Sequence, residues 1–349
     1  MTARLLIVTG AGGVGKTTIS ATLGAAAAYA GERVLVITVD PARRLADAFG
    51  LTPARTNDPV EVALPIGGKG SLSVAMIDAR HAWDMLVTQL APDETTRQRV
   101  LNNRLYDTVT ERFALSHDYV AFARVIELAD DATYDLVVVD TAPATNALDS
   151  FDSPRRMREF FGSRLARWLV VPAGAAKPFA LLAGRLLGGS FIADLAEFFT
   201  LVGGLETGLR EHSEDVECML GSPRCQLIIV STPEAGPVSQ SLALRAHLDA
   251  RQMNLRAIVV NRALPPELLD PAFTQTAVAM TDDTDPVIRE VGRAGLLLRD
   301  RARLQHDHVA LLPEPKACVQ LRAGGVSGLD DLCEMGQPLL GLCTRFEGS

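Results

Sequence analysis

Cysteine is scarce and one-sided in this chain. Its 349 residues include five, Cys218, Cys225, Cys318, Cys333 and Cys343, all in the second half and none in a C-x-x-C pair. That spacing supports neither a zinc site nor a disulfide framework, and it predicts reduced thiols in a cytoplasm. Surplus basic charge is missing too. The formal net charge is -8, which leaves no basic footprint and makes nucleic acid an unexpected partner. Methionine is sparse, with Met157 and Met219 isolated, so no adaptable Met-rich surface is predicted. The most apolar stretch, Ala180 to Leu205, is interrupted by Arg185, Asp194 and Glu197. Charges near the middle of a span are costly, so no stable membrane insertion is expected. The chain enters its first apolar run almost at once, and no signal peptide is expected. No internal repeat is present.

The composition that remains is 48% hydrophobic and 22% charged, that of a chain able to bury a large core. Strands and helices alternate, which predicts a parallel sheet covered on both faces. Expected strands are Leu5–Thr9, Arg33–Val39, Leu72–Ile77, Leu136–Val139, Gln226–Ser231, Leu255–Val260 and His308–Leu312. Two stretches break the alternation. Residues 79–133 carry Trp83, Leu86, Val87 and Leu90 at helical spacing and predict two or three helices. Residues 153–220 are almost strand-free. The expected organisation is one domain over 1–349, with 79–133 and 153–220 as helical insertions forming a helical subdomain.

Gly10-Ala11-Gly12-Gly13-Val14-Gly15-Lys16-Thr17-Thr18 fits G-x-x-x-x-G-K-[ST]. An apolar strand precedes it and an Ala-rich helix follows, which is the context a phosphate-binding loop requires. Glycines let successive N–H groups turn toward phosphate oxygens, and the helix adds the positive end of its dipole. Lys16 would reach the β- and γ-phosphates, and the Thr17 hydroxyl would ligate Mg²⁺. The competing reading is a Gly-rich strand–helix turn that binds nothing.

Two carboxylates end strands nearby. Asp40 follows the second strand, at the carboxyl edge where such sheets bind ligands, and can orient or deprotonate a water attacking the γ-phosphate. Taken alone, Asp40-Pro41 is an ordinary strand-to-turn signal. Leu136-Val137-Val138-Val139-Asp140 ends in the usual form of the Mg²⁺-supporting acid, acting on the metal through water. The following Thr141-Ala142-Pro143-Ala144-Thr145-Asn146 is a loop able to sense the γ-phosphate.

Together, Gly10–Thr18, Asp40-Pro41-Ala42 and Asp140-Thr141-Ala142-Pro143 resemble the deviant phosphate-loop ATPases that include arsenical-pump ATPases and those guiding tail-anchored membrane proteins. Ser231-Thr232-Pro233-Glu234 and Val259-Val260-Asn261-Arg262 extend the resemblance. It implies an α/β fold with a doubly wound, mostly parallel sheet and an inserted α-helical subdomain. It also implies a cytoplasmic dimeric ATPase using ATP and Mg²⁺, whose two sites face each other across the interface. By the resemblance, Asp40 is the hydrolytic Asp and Asp140 the switch carboxylate. Asn261 reads adenine through its amide, and Glu234 contacts nucleotide near the interface. An amide offers donor and acceptor together, complementary to an adenine edge, although Asn261 also reads as an ordinary polar strand end.

Three departures bear on activity. The family's signature Lys, second in the loop and crossing to the other subunit's phosphates, is Ala11 here. No C-x-x-C holds an interface zinc. No Cys precedes Cys218, so a cysteine metalloid site has no counterpart, and arsenite transport is not expected. Arg43 and Arg44 can either replace the missing cation or form a solvated helix face. Two functions follow. One is a switch coupling ATP hydrolysis to binding or delivery of a client with a hydrophobic helix, as a homodimer or as a heterodimer with a Lys-bearing relative. The other is a weakly active regulatory or scaffolding subunit, paired with a Lys-bearing relative in a heterodimer. The apolar helices read either as a client groove or as core and interface.

Overall fold

The computed structural model describes residues 2–39, 44–50, 58–106, 114–141, 151–162, 201 and 205–343. Eight strands form one sheet in the order β3-β4-β2-β5-β1-β6-β7-β8. They are β1 (Arg4–Gly10), β2 (Arg33–Thr38), β3 (Val60–Val62), β4 (Ser71–Met76), β5 (Leu136–Asp140), β6 (Cys225–Ser231), β7 (Leu255–Ala263) and β8 (Lys316–Gln320). Every pairing is parallel except β3 with β4. The expected α/β class holds.

The continuous Val/Ile/Leu runs follow from burial on both faces. Side chains alternate along a strand. Leu5, Ile7, Leu35, Ile37, Val137 and Val139 enter one core cluster, and Leu6, Val8, Val34, Val36, Leu136 and Val138 enter the other. Helix α1 (Lys16–Ala30) covers the second face, and its Gly24 lies where a Cβ would come within 2.2 Å of Val36. Helices α2 (Arg44–Ala48), α3 (Ala79–Leu90), α4 (Glu94–Leu101), α5 (Ala114–Asp130), α6 (Ser153–Gly162), α7 (Glu206–Gly221) and α8 (Ala235–Ala250) follow in chain order. Helices α3, α4 and α5 all fall within 79–133. Most of 153–220, including Phe179 to Leu187, lies outside the described residues. Met157 is buried in the first cluster and Met219 packs at its edge. Among the described residues, no helix is long and apolar enough to cross a membrane.

The expected strand at His308–Leu312 is instead the end of a helix. After α9 (Pro271–Thr281), helix α10 runs from Pro286 to Ala310, started by the Asp285 side chain, which accepts from the Val287 amide. A short apolar run fits helix or strand equally by pattern. Here Val309 and Leu312 pack onto the first cluster from a helical end. The last strand is β8, an edge strand of mostly exposed or half-buried residues. Finally, α11 (Leu329–Gly336) and α12 (Leu340–Cys343) close over α1, with Gly336 against Thr22 and Ala26. All five cysteines are free thiols, and Cys225, Cys333 and Cys343 are buried.

Between α5 and α7, the buried Tyr119 hydroxyl lies 3.3 Å from His212 Nδ1. Burial pushes the ring below its ordinary value, outweighing Asp215 and Glu127, which favour the cation. On acidification below about pH 6.5 the unfolded chain therefore takes up the proton first. This contribution is whole above that pH and shrinks below it. The melting temperature of the wild type should fall from about pH 7 to pH 5 more steeply than that of His212→Gln. Scanning calorimetry checks this, and parallel slopes would show that His212 does not carry the effect.

Candidate nucleotide site

β1 lies at the middle of the sheet, between β5 and β6, and the phosphate loop leaves its carboxyl end. The tight exit depends on glycine. A Cβ on Gly10, which has φ +151°, would lie 2.2 Å from the Val230 carbonyl oxygen of β6. Gly13 and Gly15 also have positive φ, and Gly15 caps α1 in a left-handed conformation.

Four loop carbonyls are held by side chains. Lys16, only 7% exposed, donates from Nζ to Ala11 O at 3.0 Å and Gly10 O at 3.2 Å. From the end of β7, Asn261 Nδ2 donates to Val14 O at 2.9 Å, and Arg262 Nη1 to Gly13 O at 3.2 Å. Ala11 itself is buried in the second core cluster.

Asp140 is 1% exposed at the end of β5, in register with Val8 and Thr38. Its Oδ2 accepts from Thr17 Oγ1 at 2.8 Å and Thr38 Oγ1 at 3.3 Å, and its Oδ1 from Ser20 Oγ at 3.5 Å. A buried carboxylate needs such partners, because desolvation without them costs several kcal/mol. Thr38 and Ser20 were not singled out in the sequence. The spacing of Ser20 from Thr17, three residues along a helix, was the available signal. The Thr17 and Asp140 oxygens suit Mg²⁺ and the Lys16 amine suits a polyphosphate, so the residues present fit both.

Glu234 stands at the N-cap of α8, half-exposed, with Oε1 3.7 Å from Arg301 Nη2 on α10. Between them and loop residues Gly12–Val14 lies a cavity of about 390 Å³, with Arg262, Leu264, Leu298 and Gln305 in its walls. Gln305 accepts from the Leu264 amide at 2.9 Å, and His308 Nδ1 lies 3.0 Å from the Pro233 carbonyl oxygen. α10 is thus joined to the ends of β6 and β7. Asn261 is buried beside Arg262 and does not line the cavity; one amide hydrogen is on Val14 and its oxygen accepts from the Arg262 amide. Thr18 sits in the first turn of α1. Asp40-Pro41-Ala42-Arg43, residues 142–150 and the side chain of Arg44 lie outside the described residues.

A glycine loop leaving the central strand of a parallel sheet, with Lys16, Thr17 and Asp140 converging on it, defines a phosphate-loop NTPase fold. The chain belongs to the anion-transporting ATPase family, whose model matches residues 3–282. It is 26% identical over 354 residues to a putative arsenical pump-driving ATPase of Halobacterium salinarum, covering 97% of this chain and 45% of that protein. It is 26% identical over 275 residues to the ATPase GET3 of Phaeosphaeria nodorum, covering 77% of this chain and 79% of that protein. The arsenical pump-driving ATPase of Escherichia coli is 25% identical over 268 residues, covering 74% of this chain and 39% of that protein. The chain therefore spans less than half the length of these two pump-driving relatives.

Gly15→Ala is expected to destabilise the loop, since its Cβ would lie 2.3 Å from Asn261 Nδ2 and displace the amide from Val14. At Gly13 a Cβ meets open space, so Gly13→Ala carries the positive-φ cost alone. The excess loss for Gly15→Ala over Gly13→Ala should be about 1–3 kcal/mol in urea unfolding. Equal losses would show that Asn261 can yield.

Proposed function

We propose that this chain binds and hydrolyses ATP with Mg²⁺ as a dimeric, cytoplasmic molecular switch that couples hydrolysis to binding or delivery of a protein client. The observation that carries the ATPase part is the convergence of Lys16, Thr17 and Asp140 on the loop that ends β1. In this reading the loop amides of Gly10–Thr18 cradle the phosphates. Lys16 exchanges the Gly10 and Ala11 carbonyls for phosphate oxygens. Thr17 and Asp140 would hold Mg²⁺, which when bound would offset the charge of the phosphate oxygens, with Asp140 acting through water. Asp40 orients or deprotonates the attacking water. Asn261 and Glu234 contact the nucleotide, Glu234 from the cavity beside the loop. The chain acts as one ATPase domain, with 79–133 and 153–220 forming a helical subdomain. The client rests on family resemblance alone.

Metalloid transport is not part of the proposed function. Desolvation pushes the Cys225 and Cys343 thiols up to about 12 and raises that of Cys333, which disfavours the thiolate a metalloid needs.

Lys16→Ala should abolish ATP binding or weaken it severely, whereas Asp40→Asn should retain ATP·Mg²⁺ and hydrolyse it slowly. Calorimetric titration and steady-state turnover check the pair. Wild-type affinity in Lys16→Ala would remove the loop from the assignment, and wild-type turnover in Asp40→Asn would remove that carboxylate.

A second reading is favoured by Ala11: a weakly active subunit that needs a Lys-bearing relative to complete its site. A cation supplied in trans can accelerate phosphoryl transfer by orders of magnitude. Basal ATPase activity of the isolated protein should therefore be low and rise about tenfold or more with such a relative, or in an Ala11→Lys homodimer. Because Ala11 is buried, the partner titration is the cleaner arm. If Arg43 or Arg44 supplies the charge instead, the isolated protein is active and Arg→Ala variants are crippled. Robust turnover insensitive to both arginine substitutions would refute both accounts.

A further inference from the structure

The end of β7 departs from regular strand geometry where it meets the phosphate loop. Its register with β8 shifts between Val260 and Ala263, so Asn261 and Arg262 occupy an irregularity of the ladder. Arg262 has φ +60°, a left-handed conformation that side-chain-bearing residues seldom adopt. Irregularities of this kind re-aim side chains, and they concentrate beside functional sites. The residue turned here carries a guanidinium, and it donates to the Gly13 carbonyl at 3.2 Å. Its own amide donates to Asn261 Oδ1 at 2.9 Å, which fixes the neighbouring amide on Val14.

The two halves of the loop are consequently held by different groups. Lys16 holds the Gly10 and Ala11 carbonyls, and those contacts must be given up if its amine is to meet phosphate. Asn261 and Arg262 hold the Gly13 and Val14 carbonyls from outside the loop, and nothing in phosphate binding requires their release. Oxygens drawn toward β7 leave the amides of the same peptide planes facing the other way, as a phosphate cradle needs.

We infer that Arg262 is a positioning residue, which holds the Gly12–Val14 crest of the loop in its phosphate-accepting shape by engaging the Gly13 carbonyl. The inference rests on the nucleotide reading above and assigns Arg262 no contact with base or ribose. Its effect should therefore scale with phosphate and not with the nucleoside.

Arg262→Gly removes the guanidinium while tolerating the positive φ, so the backbone bend survives. Arg262→Lys retains one donor. Both full-length variants and the wild type are titrated with ADP·Mg²⁺ and with adenosine, using competition against a fluorescent ADP. ADP affinity should fall about tenfold in Arg262→Gly, the worth of one hydrogen bond from a charged donor. It should recover in part in Arg262→Lys, while adenosine affinity stays at the wild-type value. An equal loss for adenosine and ADP would mean a base contact or general loosening and would overturn the inference. So would wild-type ADP affinity in Arg262→Gly. A wild type that binds neither ligand would instead overturn the nucleotide reading itself, and this inference with it.

Discussion

Asp140 is the constraint around which the site is arranged. A carboxylate at 1% exposure in the middle of a sheet is tolerable only if its oxygens are satisfied by nearby donors. Side-chain donors reach it from two elements: Thr17 and Ser20 on α1, and Thr38 at the end of β2. Those contacts fix how far α1 can rotate and how β2 registers beside β5. They thereby fix where the loop between β1 and α1 begins and ends. The group that the fold must satisfy is also the group that a cation beside Thr17 would use. Structural demand and chemical utility coincide at one side chain.

The phosphate loop adds a second layer, built from main chain more than from side chains. Gly10 is small because β6 passes 2.2 Å from where its Cβ would be. Gly15 is small because Asn261 occupies the corresponding space on the other flank. The close approach of β6 on one side and of the β7 end on the other leaves a narrow path, and glycine follows it. α10 closes the remaining side, tied to the Leu264 amide through Gln305 and lying against Pro233 O through His308. The cavity beside the loop therefore takes much of its wall from the second half of the chain, from the start of α8, the end of β7 and α10.

Much of this was legible in the sequence. The runs at Leu5, Arg33, Leu72, Leu136, Gln226 and Leu255 became strands to within a few residues, because burial on both faces writes an unbroken apolar signal. The loop was legible from its spacing, and Asp140 from ending such a run behind it. The rest depended on tertiary partners. β3 is three residues long with Glu61 at its centre, and it exists through pairing with β4. α10 is polar along much of its length, so only its apolar tail drew notice, and in isolation that tail looked like a strand. Thr38 and Ser20 are common residue types whose role comes from what folds beside them. Arg262 stood in a quoted motif, yet nothing local foretold a left-handed residue aimed back at the loop.

Position 11 shows how unequally such a site distributes its demands. Its main-chain carbonyl is used, accepting from Lys16, while its side chain is a buried methyl group in the core cluster under the loop. Any residue supplies that carbonyl, so replacing lysine there leaves the cradle's hydrogen bonds available. The methyl adds apolar burial where an ammonium stem would have to pass outward. The loop's geometry is held by the backbone and by Lys16, Asn261 and Arg262, all from this chain. Charge delivered across an interface is a separate quantity, and in the proposed function Ala11 means that this chain delivers none to a facing subunit. The fold can therefore keep the architecture of a phosphate-loop site intact while, in the proposed function, the cationic complement at the phosphates would depend on which partner faces it.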